Sequence, residues 1–122
     1  MDLKYVLLVT TLLPLSSQAV EVNKKDWINA MSTALPTALC NSNQYFRKCF
    51  NVSAQECEET MSSAARICLS KSEKHIPNTL IQPEDGTHWG AIVGKCVGEA
   101  YELTLITKRH NNATCNNISN WQ

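Results

Sequence analysis

The chain has no surplus charge, no second long apolar run, no short cysteine knuckle and no histidine cluster. Each absence removes a class of function. Lys plus Arg and Asp plus Glu number eleven each, so nothing supplies the basic face that nucleic acid or an anionic membrane would need, and there is no acidic tail. Beyond the first nineteen residues no stretch approaches the ~20 apolar residues of a membrane-crossing helix, so stable membrane insertion of the remaining chain is not expected. The cysteines are separated by 8, 7, 10, 27 and 18 residues. Without a C-x2–4-C step, structural zinc and C-x-x-C redox chemistry are not expected. Walker, G-x-S-x-G, H-E-x-x-H and nucleotide-binding glycine motifs are also missing. The sequence therefore assigns no catalytic residue, no cofactor and no metal.

What is present begins with a leader. Residues 1–19 carry Lys4 near the amino terminus, an apolar core from Val6 to Leu15, and Ser17-Gln18-Ala19 with small residues at the −3 and −1 positions. These are the three parts of a secretory signal, with cleavage expected before Val20. Residues 20–122 then form one domain. All six cysteines, Cys40, Cys49, Cys57, Cys68, Cys96 and Cys115, lie in it. An even count in a short exported chain reads as a disulfide framework in an oxidising compartment, periplasmic or extracellular. Three sequons, at Asn51, Asn112 and Asn117, are close to chance in a chain with eleven asparagines and do not decide the source.

Helical signals dominate, and the expected fold is a small all-α domain of about four helices. Trp27, Met31, Leu35 and Leu39 recur at four-residue steps, predicting a first helix over residues 24–35 that Pro36 ends or kinks. Asn41 and Gln44 make a weak capping box for a second helix over residues 42–50. Ser53 and Glu56 make a stronger one for the third. On that helix Cys57, Met61, Ala64 and Cys68 share a face, acids lead, and Lys71, Lys74 and His75 close it before Pro77. Residues 77–87 read as loop. A last helix over residues 88–109 is expected to bury Trp89, Ile92, Cys96, Ala100, Leu103 and Thr107, with Thr87 as its N-cap. Gly90, Gly94 and Gly98 on this helix suggest either close backbone packing or a helix that starts late, near Val93.

Helix geometry limits the fifteen possible cysteine pairings. Cys57 and Cys68 are separated by ~16 Å of helix, beyond the ~7 Å Cα limit of a disulfide. They must staple their helix to its neighbours. A nested hairpin satisfies this: Cys49 with Cys57, Cys40 with Cys68, and Cys96 with Cys115 holding the tail. The alternative sends Cys96 or Cys115 to the first hairpin.

Three functions fit such a scaffold. The first is a non-enzymatic binding protein with an unknown protein partner: an inhibitor, an immunity-type protein or a secreted host-directed factor. Tyr45, Phe46, Arg47 and Phe50 are the candidate contacts, because aromatic and Arg residues dominate binding hot spots, although Phe46 and Phe50 read first as core. His88 and Trp89 form a second candidate pair. The second function is a carrier of a small apolar ligand, its cavity lined by Trp27, Met31, Met61 and Trp89. The third, least favoured, is an enzyme that uses Glu84, Asp85 and His88, a local cluster that reads first as a turn followed by a helix start.

Overall fold

The helix with the clearest sequence signals organises the rest. It runs over Ala54–Ser72, and the Ser53 hydroxyl accepts the Glu56 N–H at 3.1 Å as its N-cap. Cys57, Met61, Ala64, Ala65, Cys68 and Leu69 are buried along it. The computed structural model describes residues 20–121; the leader expected over residues 1–19 lies outside them. In chain order the elements are β1 (Val20–Asn23), α1 (Lys24–Leu39), α2 (Tyr45–Lys48), α3 (Ala54–Ser72), β2 (Thr79–Gln82), α4 (Glu84–Thr104) and α5 (Ala113–Asn116). Two 3₁₀ turns, at Ile106–Lys108 and Ile118–Trp121, flank α5. The result is a small all-α domain. In it α1 and α4 both pack on α3, over a core that includes Trp27, Phe50, Met61, Leu80, Val93, Val97 and Tyr101.

Several boundaries differ from expectation, for local reasons. α1 passes through Pro36 to Leu39, with Asn23 capping it through the Asp26 N–H. A proline inside a helix costs one hydrogen bond and a clash. Here Pro36 is buried and the turn after it closes from Cys40 N–H to the Pro36 carbonyl at 3.1 Å. Packing and the disulfide at Cys40 hold that turn against α3. α2 is only four residues long, because residues 41–44 are used in a turn closed by Gln44 N–H on the Asn41 carbonyl. Lys74 and His75 lie past the end of α3, where two N–H groups, of His75 and Ile76, converge on the Ser72 carbonyl.

The expected loop over residues 77–87 contains β2. It pairs antiparallel with β1, Val22 opposite Leu80 and Val20 opposite Gln82. Leu80 is fully buried while Ile81 is exposed. This is a two-residue alternation too brief to stand out in sequence. α4 begins at Glu84, directly after the cis Gln82–Pro83 bond. Side chains on both sides of that bond secure the start: Gln82 Oε1 accepts Gly86 N–H at 2.8 Å and Asp85 accepts Ile81 N–H at 2.7 Å. Thr87 is inside the helix, and its hydroxyl donates to the Pro83 carbonyl.

The buried face of α4 is Val93, Val97 and Tyr101, followed by Leu105. The expected face lies about 100° to one side, one residue's rotation. Ile92 and Leu103 on it are 41% and 75% exposed. Neither expectation for the glycines holds at Gly90 and Gly94. The helix starts before them, and a Cβ added at either would meet nothing within 4 Å.

The disulfides are Cys40–Cys57, Cys49–Cys115 and Cys68–Cys96. Cys57 and Cys68 staple α3 to α1 and α4, as helix geometry requires, but the nested pairing is wrong in all three bonds. It needed a second helix running back along α3. α2 is too short for that, and α1 packs there instead, delivering its C-terminal Cys40 to the first turn of α3.

Candidate partner-binding site

Tyr45 sits at the start of α2, in a connection held at both ends by disulfides at Cys40 and Cys49. Its phenol donates to Glu102 Oε1 at 2.6 Å and accepts from Arg109 Nε at 3.0 Å. The Arg109 guanidinium carbon lies 5.9 Å from the Tyr45 ring centroid, a cation–π distance. The same guanidinium donates to the Asn116 side chain and to the His110 and Cys115 carbonyls. Trp121 packs edge-on to Tyr45 with centroids 5.5 Å apart, and its indole N–H is fixed on the Thr114 carbonyl. α2, the last turn of α4 and the chain's final residues thus meet on one phenol.

These groups enclose a surface pocket of about 460 Å³. Tyr45, Trp121 and Ile118 supply its apolar wall, and Glu102, Arg109 and Asn116 its polar one. Ile118 is 72% exposed at the rim. Burial raises the Tyr45 phenol above its usual pKa, the Glu102 carboxylate adds to that, and Arg109 partly opposes it. The phenol is therefore a neutral donor at physiological pH and does not act as a base or nucleophile there. Beneath it, Tyr101 donates to the Phe46 carbonyl at 2.8 Å, and burial pushes its phenol up to about 12.

The structure separates the residues singled out in sequence. Tyr45 reaches the surface at the pocket. Phe50 does not: it is 2% exposed and packs edge-on against Tyr45 and Tyr101. Phe46 is half-buried against Tyr101 and beside Gly98. Arg47 donates to the Cys40 carbonyl and so closes the end of α1. His88 and Trp89 pair edge-on with each other, about 20 Å along α4 from Glu102, so they belong to no common patch with Tyr45. His88 is exposed, and Asp85 is engaged by the Ile81 N–H. The acid–base trio is not assembled into one hydrogen-bonded group among the described residues. Nor do those residues include three His, Cys, Asp or Glu side chains grouped to hold a metal ion. The four residues suggested for an apolar cavity go into packing instead: Trp27 and Met61 are buried in the core, and Met31 and Trp89 are partly buried against it.

Sequence reasoning missed Glu102, Arg109, Asn116, Ile118 and Trp121. The one signal that could have found them is the Cys49–Cys115 bond, which carries the tail to α2.

Residues 21–109 match the family model described as T2SS substrate NttA. The match stops at Arg109, so Cys115 and Trp121 lie beyond it. No curated protein and no solved structure matches the chain.

Proposed function

The chain belongs to the T2SS substrate NttA family, and from that premise we propose that it is a non-enzymatic helical scaffold that engages another protein through the Tyr45 pocket. Export is given by the family, and three disulfides fit an oxidising periplasmic or extracellular location. No described helix is long and apolar enough to cross a membrane. The observation that carries the binding role is the pocket's make-up. Two aromatic faces and an exposed isoleucine stand beside a carboxylate and an amide in one concavity. Interface anchors have this composition, an apolar seat with a few oriented polar groups at its edge.

The test uses the disulfide-intact exported protein as bait, with chemical cross-linking to identify its partner by mass. Ile118→Asp puts a charge on the exposed rim without touching the core. The expected result is loss of the cross-linked partner with an unchanged melting temperature. Undiminished cross-linking by the variant rejects the pocket as the contact.

A second reading is a small apolar ligand in the same pocket, since its volume falls within the roughly 300–1,000 Å³ of small-molecule sites. Native mass spectrometry of protein from its own source would then show a reproducible added mass that Ile118→Asp removes. We also set signal cleavage before Val20, where β1 begins. Amino-terminal sequencing of the exported protein should start at Val20.

A further inference from the structure

The polar groups of the Tyr45 pocket are unevenly satisfied, and the imbalance says what the pocket takes. The Tyr45 phenol donates to Glu102 Oε1 and accepts from Arg109 Nε. Four of the five Arg109 N–H groups are taken up, by the Tyr45 phenol, the Asn116 side chain and the His110 and Cys115 carbonyls. The Asn116 side chain in turn donates to Asn111, and the Trp121 indole donates to the Thr114 carbonyl. Glu102 differs from all of these. Its Oε1 accepts the Tyr45 phenol, while its Oε2 accepts from no group among the described residues. Its carboxylate has no cationic partner among them either, for the salt bridge there is Lys108 with Glu56.

The field at Glu102 has the same sense. Glu102 lies in the last turn of α4, which holds no basic residue, so the negative end of the helix dipole adds to its charge. Glu99, exposed one turn earlier, adds more. Arg109 offsets part of this, but its guanidinium stands by the Tyr45 ring and points its N–H groups at carbonyls and an amide. An apolar group seated in the pocket would strip water from Glu102 Oε2 and return no hydrogen bond. An acidic group would meet like charge. A basic side chain meets both conditions. Its head donates to Oε2, its methylene stem lies along Ile118, and the Trp121 ring, the best aromatic partner for a cation, lines the same pocket. We propose that the Tyr45 pocket takes a lysine or arginine side chain of the protein partner, with its charge on Glu102. This inference rests on the reading of that pocket as the contact surface.

Four capped amino acids test it: the Nα-acetyl amides of lysine, arginine, norleucine and glutamate. Each is titrated into the disulfide-intact, ¹⁵N-labelled protein while the Trp121 indole N–H resonance is followed. The lysine and arginine probes should shift it saturably. The norleucine probe, which has the stem without the charge, should bind about tenfold more weakly, and the glutamate probe weaker still. Glu102→Gln keeps an acceptor for the Tyr45 phenol and removes the charge, so its melting temperature should stay near the parent's. In that variant the lysine and norleucine probes should bind alike. Three results overturn the proposal: a norleucine probe that binds as well as lysine, a lysine probe that Glu102→Gln leaves unweakened, or no Trp121 shift with either basic probe. The two readings fail separately. Undiminished partner cross-linking by Ile118→Asp removes the pocket as a contact, and this inference with it. Cross-linking lost in Ile118→Asp, with norleucine binding as well as lysine, keeps the contact and removes only the cation.

Discussion

The α3 centre and the Tyr45 end of the molecule are held together by different physics. Around α3, side chains such as Met61, Val93, Val97 and Leu80 are fully buried, and two disulfides close on residues that are themselves core: Cys57 is 0% and Cys68 1% exposed. At the Tyr45 end Cys49 and Cys115 are buried too, but the residues that hold the tail around them, Arg109, Asn116 and Trp121, are exposed or half-buried. The tail is kept by one disulfide, by Arg109's fan of hydrogen bonds and by the Trp121 indole. The first region stands on area removed from water. The second stands on a tether and on polar contacts that water can replace. A cross-link should therefore contribute differently in the two places.

The largest expected effect separates them. In the chain-entropy account a disulfide stabilises more as its loop lengthens. Cys49–Cys115 spans 66 residues and Cys68–Cys96 spans 28, so loop length alone gives the tail bond the larger share, about 4 kcal/mol against 3–4. The structure argues for the reverse order. Without its tether the tail can fray while the helices stay packed, and the native state regains entropy that the core cannot. Replacing Cys68 and Cys96 with alanine should lower the denaturant midpoint by more than replacing Cys49 and Cys115. The tail variant should show early loss of Trp121 fluorescence, ahead of helix loss. A larger midpoint drop for the tail variant, with a single coincident transition, would mean that tail and core unfold as one unit.

How far each region could be read from sequence follows the same division. α3 was legible because one apolar row, Cys57-Met61-Ala64-Cys68, and a hydroxyl cap agreed on its start and its face. α4 carries two apolar rows side by side: Val93-Val97-Tyr101 is buried, while Ile92 and Leu103 are exposed. Periodicity cannot rank two rows of similar hydropathy. The choice is made by what packs against the helix, namely β2 and α3. The strands were missed because four residues of alternation are too few to register. At the candidate site Tyr45 stood out by residue type. Its partners Glu102 and Arg109 are 57 and 64 positions away, and only the correct cysteine pairing would have brought them to it.

Tyr101 and Tyr45 offer a smaller contrast across the boundary between the two regions. Each donates one phenolic hydrogen bond. Tyr101, fully buried, donates to a backbone carbonyl; Tyr45, half-buried, donates to a carboxylate that also borders the pocket. Tyr101→Phe leaves the Phe46 carbonyl without that donor in a dry setting and should cost about 1–3 kcal/mol. Tyr45→Phe should cost less, because water reaches the groups it releases. The pH response has a definite sign. The Tyr101 phenol titrates at about 12 in the fold and near 10 when unfolded, so its contribution is intact below pH 10 and is lost as pH rises from 10 towards 12. Urea midpoints across that window should fall for the parent and fall less steeply for Tyr101→Phe. An equal slope in both would remove Tyr101 as the source.

The smallest effects come from the glycines, and they run in opposite directions. Gly90 and Gly94 lie inside α4, where a Cβ would meet nothing within 4 Å, and neither has a positive φ. Alanine there should stabilise the fold by about 0.5–1 kcal/mol per site, through helix propensity and a less flexible unfolded chain. At Gly98 the added Cβ would touch the Phe46 ring at 3.4 Å, an ordinary contact, so a similar but smaller gain is expected. Gly86 is the exception. Its Cβ would fall 2.1 Å from Gln82 Oε1, the acceptor of the Gly86 N–H. Gln82 can swing away, but the first turn of α4 then loses its cap, which typically costs about 1 kcal/mol and cancels the propensity gain. Thermal melts of the four single alanine variants should place Gly90 and Gly94 above the parent, Gly98 slightly above it, and Gly86 at or below it. A drop at Gly90 or Gly94 would mean that a second molecule packs closely against α4 there, since the fold itself leaves open space at both sites.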